Sequence, residues 1–161
     1  MNKMLTSNGK AVLKINNSYV RPRTRVISTD GAIRDIDAAD SGTLNLGALL
    51  RTLGLYVGAN DTPAASSDYA FTSLRSNLGL TTISMTGTND STDPSYTQDY
   101  IAVFTSTLRN NTASDIAVKE VGVIGNAHGQ GYDFPVLIAR DVFDPITIAP
   151  GEIYTFSMYI G

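Results

Sequence analysis

From Thr81 onward the sequence keeps a period of two, and that constraint leaves room for little except strands. Thr81–Thr86 sets Ile83 and Met85 on one face against Thr82, Ser84 and Thr86 on the other. Tyr100–Leu108 alternates Tyr100, Ala102, Phe104, Ser106 and Leu108 with Ile101, Val103, Thr105 and Thr107. Successive side chains of a strand point to opposite faces, so alternation of this kind reads as a half-buried strand. Ile116–Ile124, Phe134–Arg140, Ile146–Ile148 and Ile153–Ile160 follow as strands, broken by Asn110-Asn111, a glycine-rich loop over Asn126–Asp133, and Pro150-Gly151. Short strands at roughly ten-residue spacing with turn signals between them are the pattern of a sandwich or barrel. The expected fold is all-β: an antiparallel β-sandwich, jelly-roll or immunoglobulin-like, with one or two short helices.

Composition supports this. Charged residues are 17% of the chain, against a usual share of about 25%. Glutamate occurs only at Glu120 and Glu152, and lysine at four positions, so the residues that line the wet face of helices are scarce. Thr, Ser, Asn and Asp carry the polarity, with 14 Gly and 6 Pro. Two helices are nonetheless expected. Leu46, Leu49, Leu50 and Leu53 form an i, i+3, i+4, i+7 stripe over Leu44–Leu53 that Gly54 would end, and Ser67-Asp68 would cap Tyr69–Arg75. Leu55–Gly58 reads as a brief buried strand, Ala59–Ser66 as a loop, and Gly87–Pro94 as a surface loop. The last strand carries apolar groups on both faces, which predicts cover on both sides, in a central position or a subunit contact.

The N-terminal part differs in charge. Residues 1–34 hold seven basic residues against Asp30 alone, a balance of +6, whereas residues 35–161 hold five basic and fourteen acidic residues, a balance of −9. The 161 residues therefore divide into a basic N-terminal strand or arm region, 1–34, and a sandwich body, 35–161, within one domain. Ala11–Ile15 reads as a strand ending at Asn16-Asn17, Asp30-Gly31 as a turn, and Asp35–Gly42 as a polar loop. Pro22 confines the extended segment Tyr19–Ile27 to a sheet edge or an arm. Two accounts of the basic residues stand: a solvated face of an edge strand, or an arm docking on an acidic neighbour through Arg21, Arg23 and Arg25. Nucleic acid is a weaker partner for it, because only Tyr19 offers a ring among the basic residues.

Much catalytic chemistry lacks its residues. The chain has no cysteine and one histidine, His128, set among glycines in Gly125–Gly131. A triad would depend on that loop residue, and no Gly-x-Ser-x-Gly elbow exists. Gly125–Gly131 fits neither a Walker loop nor a dinucleotide fingerprint. The aspartate groups Asp35, Asp37, Asp40 and Asp90, Asp93, Asp99 do not match calcium-loop spacing, and Asp in loops forms turns locally. With no Trp, eight Tyr and five Phe, a carbohydrate platform is weakly supported. No apolar run reaches the roughly 18 residues that span a bilayer, and Met1–Lys10 lacks the apolar stretch of a signal peptide. The expectation is a protein without catalytic residues, metal, cofactor, small-molecule substrate or membrane association.

Two stretches carry a family resemblance. Leu55-Tyr56-Val57-Gly58-Ala59-Asn60-Asp61-Thr62-Pro63-Ala64-Ala65-Ser66-Ser67-Asp68-Tyr69-Ala70-Phe71 resembles a strand, loop and helix start of tailed-bacteriophage virion structural proteins. Val118–Ile124 with Glu120-Val121-Gly122, then Pro135–Phe143 with Ile138-Ala139-Arg140, then Pro145–Glu152 and a closing strand, resembles the ending of the same proteins. The match covers Leu55–Gly161 and departs at Asn60, Phe71 and Val123. It implies a non-enzymatic virion component that partners other copies of itself and other virion proteins. A tail, neck or fibre-base position is expected, with a capsid decoration (cement) protein as the alternative and a glycan- or surface-binding module as the competing class.

Overall fold

Alternating runs of β-branched and aromatic residues form nine strands in the computed structural model, which describes residues 4–5, 24–36, 50–65, 67–68, 77–89, 102–129 and 132–160. The strands are β1 (Met4–Leu5), β2 (Thr24–Ile27), β3 (Ile33–Ile36), β4 (Leu50–Gly58), β5 (Thr81–Asn89), β6 (Ala102–Arg109), β7 (Ile116–Gly129), β8 (Tyr132–Ile148) and β9 (Ile153–Ile160). They build three antiparallel sheets: a four-stranded one in the order β1-β8-β7-β4, a β2-β3 hairpin, and a three-stranded one in the order β5-β6-β9. The protein is all-β. β4 pairs with β7, while β5 and β6 between them belong to the other large sheet; β6 pairs with β9, while β7 and β8 return to the first. Both large sheets feed one core, in which Leu55, Val57, Val121 and Val123 meet Phe104, Leu108, Phe156 and Met158.

The polar residues at the crossings explain why the chain turns where it does. Asn110 is fully buried between β6 and β7. Its Nδ2 donates to the carbonyls of Ser114 and Ile148, both at 2.8 Å, and its Oδ1 accepts from the Thr112 amide at 2.9 Å. Its backbone also meets the next crossing: the Asn110 amide donates to Glu152 O, and the Gly151 amide to Asn110 O. One side chain therefore ties two sheet-to-sheet connections together. Gly151 has φ of 81°, which glycine adopts without strain, and the Glu152 carboxylate accepts from the Ala149 amide at 2.8 Å.

The β2–β3 hairpin is locked by its own turn and docks on β8. The Gly31 amide donates to Ser28 O, and the Thr29 amide to Pro135 O at 3.0 Å. Asp30 bonds the Ser28 hydroxyl, accepts from the Ala32 amide at 3.1 Å, and pairs with Arg34 at 2.7 Å. The Arg34 guanidinium lies 5.4 Å from the centre of the Phe134 ring.

Several expectations need correction. Leu50–Leu53, the second half of the expected helix, is strand, because β4 pairs Leu50 with Ala127 and Arg51 with Asn126. The rest of that helix and the whole of Tyr69–Arg75 lie outside the described residues, as do Ala11–Ile15, Arg21, Pro22 and Arg23. Among the described residues the helical geometry is a single 3-10 turn, Asn77–Gly79. Asp35 and Ile36 belong to β3 rather than to a loop, and Gly87–Asn89 continue β5. The expected glycine-rich loop is also strand: β7 runs to Gly129, β8 starts at Tyr132, and His128 stands opposite Asp133. Phe134–Arg140 and Ile146–Ile148 are parts of one strand, with Pro145 at an irregularity where no ladder hydrogen bond is required. Finally, β9 is at the end of its sheet, not at its centre, and only one of its faces is covered: Phe156 and Met158 are buried, while Ile153 is 53% and Tyr159 40% exposed.

The hairpin generates a pH prediction. The Ser28 hydroxyl, then the Ala32 amide and Arg34, hold the Asp30 carboxyl at a pKa of about 2, below its ordinary 3.8. A carboxyl depressed in the folded state lends stability that is complete above its unfolded value and is lost as the pH falls through its folded one. The hairpin turn should therefore stay intact at pH 4 and loosen towards pH 2. Carboxyl titration of Asp30 by NMR, with Asp30→Asn as the control, checks this; a midpoint near 3.8 would contradict it.

Candidate functional site

A charged cluster lies on the face of β7 and β8 opposite the main core. Val121 and Val123 point into the core, so by strand alternation Glu120, Gly122 and Ile124 take the other face. Register places Gly58 of β4 opposite Glu120, and Arg140 of β8 opposite Gly122. Gly122 has no side chain, so the Arg140 chain can cross it towards Glu120. Arg140 Nε donates to Glu120 Oε2 at 2.7 Å, Nη1 to Asp68 Oδ2 at 2.8 Å, and Nη2 to the Thr62 carbonyl at 3.0 Å. The second Glu120 oxygen accepts from the Asn60 amide at 3.2 Å, and Asp68 Oδ2 also accepts from the Ala65 amide at 2.9 Å.

The arrangement is closed. The side chains of Arg140 and Glu120 are 3% and 0% exposed. Burial opposes the charge on Arg140, but its bonds to Glu120 and Asp68 outweigh that penalty and hold its pKa above the ordinary value. Among the described residues, the partners of the guanidinium other than Glu120 are Asp68 and Thr62 of the segment 60–68, so the cluster pins that segment onto the sheet. Gly58 is required beside it: a Cβ there would stand 2.1 Å from Glu120 Oε1, and that carboxylate is held by two bonds and has nowhere to move. The bonds shown within the cluster are structural: they tie the segment 60–68 to Glu120 and Arg140.

Next to it the ladder between β7 and β8 breaks. Val118 pairs with Ile146 and Glu120 with Val142, leaving Lys119 alone against the three residues Phe143-Asp144-Pro145. The break opens a shallow cleft of about 680 Å³ lined by Asp61, Lys119, Val142, Phe143, Asp144 and Pro145. Lys119 Nζ pairs with Asp61 Oδ2 at 2.9 Å and lowers the Asp61 pKa through that bond. Phe143 stacks on Phe156 at 6.2 Å, which anchors the floor of the cleft to the core.

Of the residues singled out in the sequence, Arg25 falls in β2 with its backbone opposite Asp35; Arg21 and Arg23 lie outside the described residues. Asp35 is in β3, and Asp37, Asp40, Asp90, Asp93 and Asp99 lie outside the described residues. Among the described residues no group of three His, Cys, Asp or Glu side chains could hold a metal ion, and no helix is long and apolar enough to cross a membrane. Glu120, Arg140 and Asp68 were not singled out as a site. The available signal was a charge inside an apolar strand, Ile138-Ala139-Arg140 and Val118–Val123, since such a charge must find a buried partner. Comparison with protein-family models, with curated proteins and with solved structures finds no match to this chain.

Removing one member of a buried pair leaves the other charged and unpaired, which costs about 3–5 kcal/mol. Arg140→Met should therefore lower the free energy of unfolding by that amount, and the double variant Glu120→Leu/Arg140→Met should recover much of the loss. Urea titration followed by circular dichroism measures both. A cost for Arg140→Met below about 1 kcal/mol, the range of an exposed pair, would contradict a buried one.

Proposed function

We propose that this chain is a non-enzymatic structural subunit of a tailed-phage particle, oligomeric and attached to the tail, neck or fibre base. The observation that carries the proposal is where the resembling residues meet. Gly58, Asp68, Glu120 and Arg140 come from the two stretches that resemble virion structural proteins, are up to 82 positions apart (140 − 58), and converge in one buried cluster. Short motifs matched by accident have no reason to share one network of contacts. The sheet pairing and shared core support the finer fold assignment as well, a two-sheet sandwich of jelly-roll or immunoglobulin-like type, with the paired crossings of β4–β7 and β6–β9 as its connections. Chemistry spent on pinning a loop suits a building part better than a catalyst. The partners are other copies of the chain and other virion proteins, and the location is the virion.

Particle composition tests this. In gradient-purified particles from the host that carries the gene, mass spectrometry should find the chain at a few to a few dozen copies. Antibody labelling should fall on the tail or neck. Hundreds of copies with label on the head would make it a capsid decoration protein instead, and absence from purified particles would refute both positions.

A further inference from the structure

We infer that the outer edge of β9 joins two copies of this chain, pairing antiparallel about a two-fold axis at Phe156 so that the two three-stranded sheets become one. This names the contact of the oligomer proposed above, and it is tested on the purified protein alone, so its failure leaves the virion location to be judged separately.

The strand itself carries none of the usual edge protection. β9 pairs with β6 in eight consecutive steps from Ala102–Ile160 to Arg109–Ile153, without a bulge. Its sequence, Ile153-Tyr154-Thr155-Phe156-Ser157-Met158-Tyr159-Ile160, contains no charge and no proline. Natural edge strands are blunted by charge, proline, bulges or cover, because a regular open edge recruits another strand. Other edges of this protein follow that rule. On β4, the buried Asn77 side chain takes the Val57 amide at 3.0 Å, and β5 carries a bulge between Thr82 and Ser84 that puts out Ile83. Among the described residues no strand pairs with the outer edge of β9.

A second copy is the occupant that this strand fits. Side chains directly opposite each other share a face of the sheet, so an isologous pairing must set outward residues against outward ones. A register centred between two residues sets buried Phe156 against exposed Ser157 and fails. The register centred on Phe156 works along Ile153–Tyr159. On the outer face it brings Ile153 of each copy against Tyr159 of the other, the two large exposed apolar side chains of the strand, at 53% and 40% exposure. It also sets Thr155 against Ser157, extending the hydroxyl pairs Thr105–Ser157 and Thr107–Thr155 already formed with β6 at 3.2 and 3.0 Å. On the inner face Phe156 meets its own copy and Tyr154 meets Met158. The strand brings no charge to the contact, although each chain is −3 overall.

The absence of native cysteine makes the register directly measurable. Thr155→Cys and Ser157→Cys, both at exposed positions, are prepared separately, mixed and mildly oxidised. Opposed strand residues lie within disulfide range, whereas a residue one step off the axis and its own copy, offset by two steps along the strands, do not. The mixture should form a disulfide dimer joining the two variants, and neither variant alone should do so. The parent should sediment as a dimer over a concentration series. Thr155→Lys/Ser157→Lys, which sets like charges opposite, should raise the dimer dissociation constant by about tenfold or more. A parent that stays monomeric, or a dimer whose mixed cysteines do not cross-link selectively, overturns the proposal.

Discussion

The Arg140 guanidinium is the constraint on which much of this structure depends. It is buried on a sheet face and satisfied by a glutamate from the neighbouring strand and by an aspartate and a carbonyl from the segment 60–68. A buried charge is tolerated only with such partners, so the sheet and the segment must form together. The gaps around it are set to match: Gly122 leaves the guanidinium a path, and Gly58 leaves the Glu120 carboxylate its place. Replacement by apolar residues can equal a buried pair in stability, so the return for this arrangement is position rather than energy. A hydrophobic contact would let the segment slide, whereas a forked guanidinium fixes both where it lies and which way it faces.

Fixed position is what an assembling part needs. The break in the β7–β8 ladder lies next to this cluster, with Lys119 paired to Asp61 of the pinned segment. At the other large sheet, β9 presents a regular, uncharged edge and an outer face of Thr, Ser, Ile and Tyr. On β4, by contrast, an edge amide is taken by Asn77, and among the described residues no strand pairs with the outer edge of β9.

Where the sequence was informative, the physical signal was one a single strand can carry. The alternation of Phe104, Ser106 and Leu108 with Thr105 and Thr107 gives the buried and half-buried faces of β6 directly. Pro150-Gly151 and Asn110-Asn111 sit at turns because glycine supplies a positive φ and asparagine bonds its own backbone. Leu46, Leu49, Leu50 and Leu53 misled because leucine spacing records which residues want burial, not the backbone that buries them. Pairing of Leu50 and Arg51 with β7 decides for strand. Asn126–Gly129 misled similarly: glycines signalled a loop, but this stretch has a ladder partner in Tyr132–Pro135. The charged cluster was legible only as separate motifs, since its members are brought together by strand register that no local pattern encodes.

The central claim is that the segment 60–68 is part of the folded core through its bonds to Glu120 and Arg140, although its described residues form no strand or helix. Native-state hydrogen exchange at the Asn60 and Ala65 amides tests this most directly, because those amides donate to Glu120 and Asp68. The account predicts exchange as slow as that of amides in the middle of β7, and loss of that protection in step with global unfolding. Exchange at the rate of an open surface loop, with β7 still protected, would contradict it.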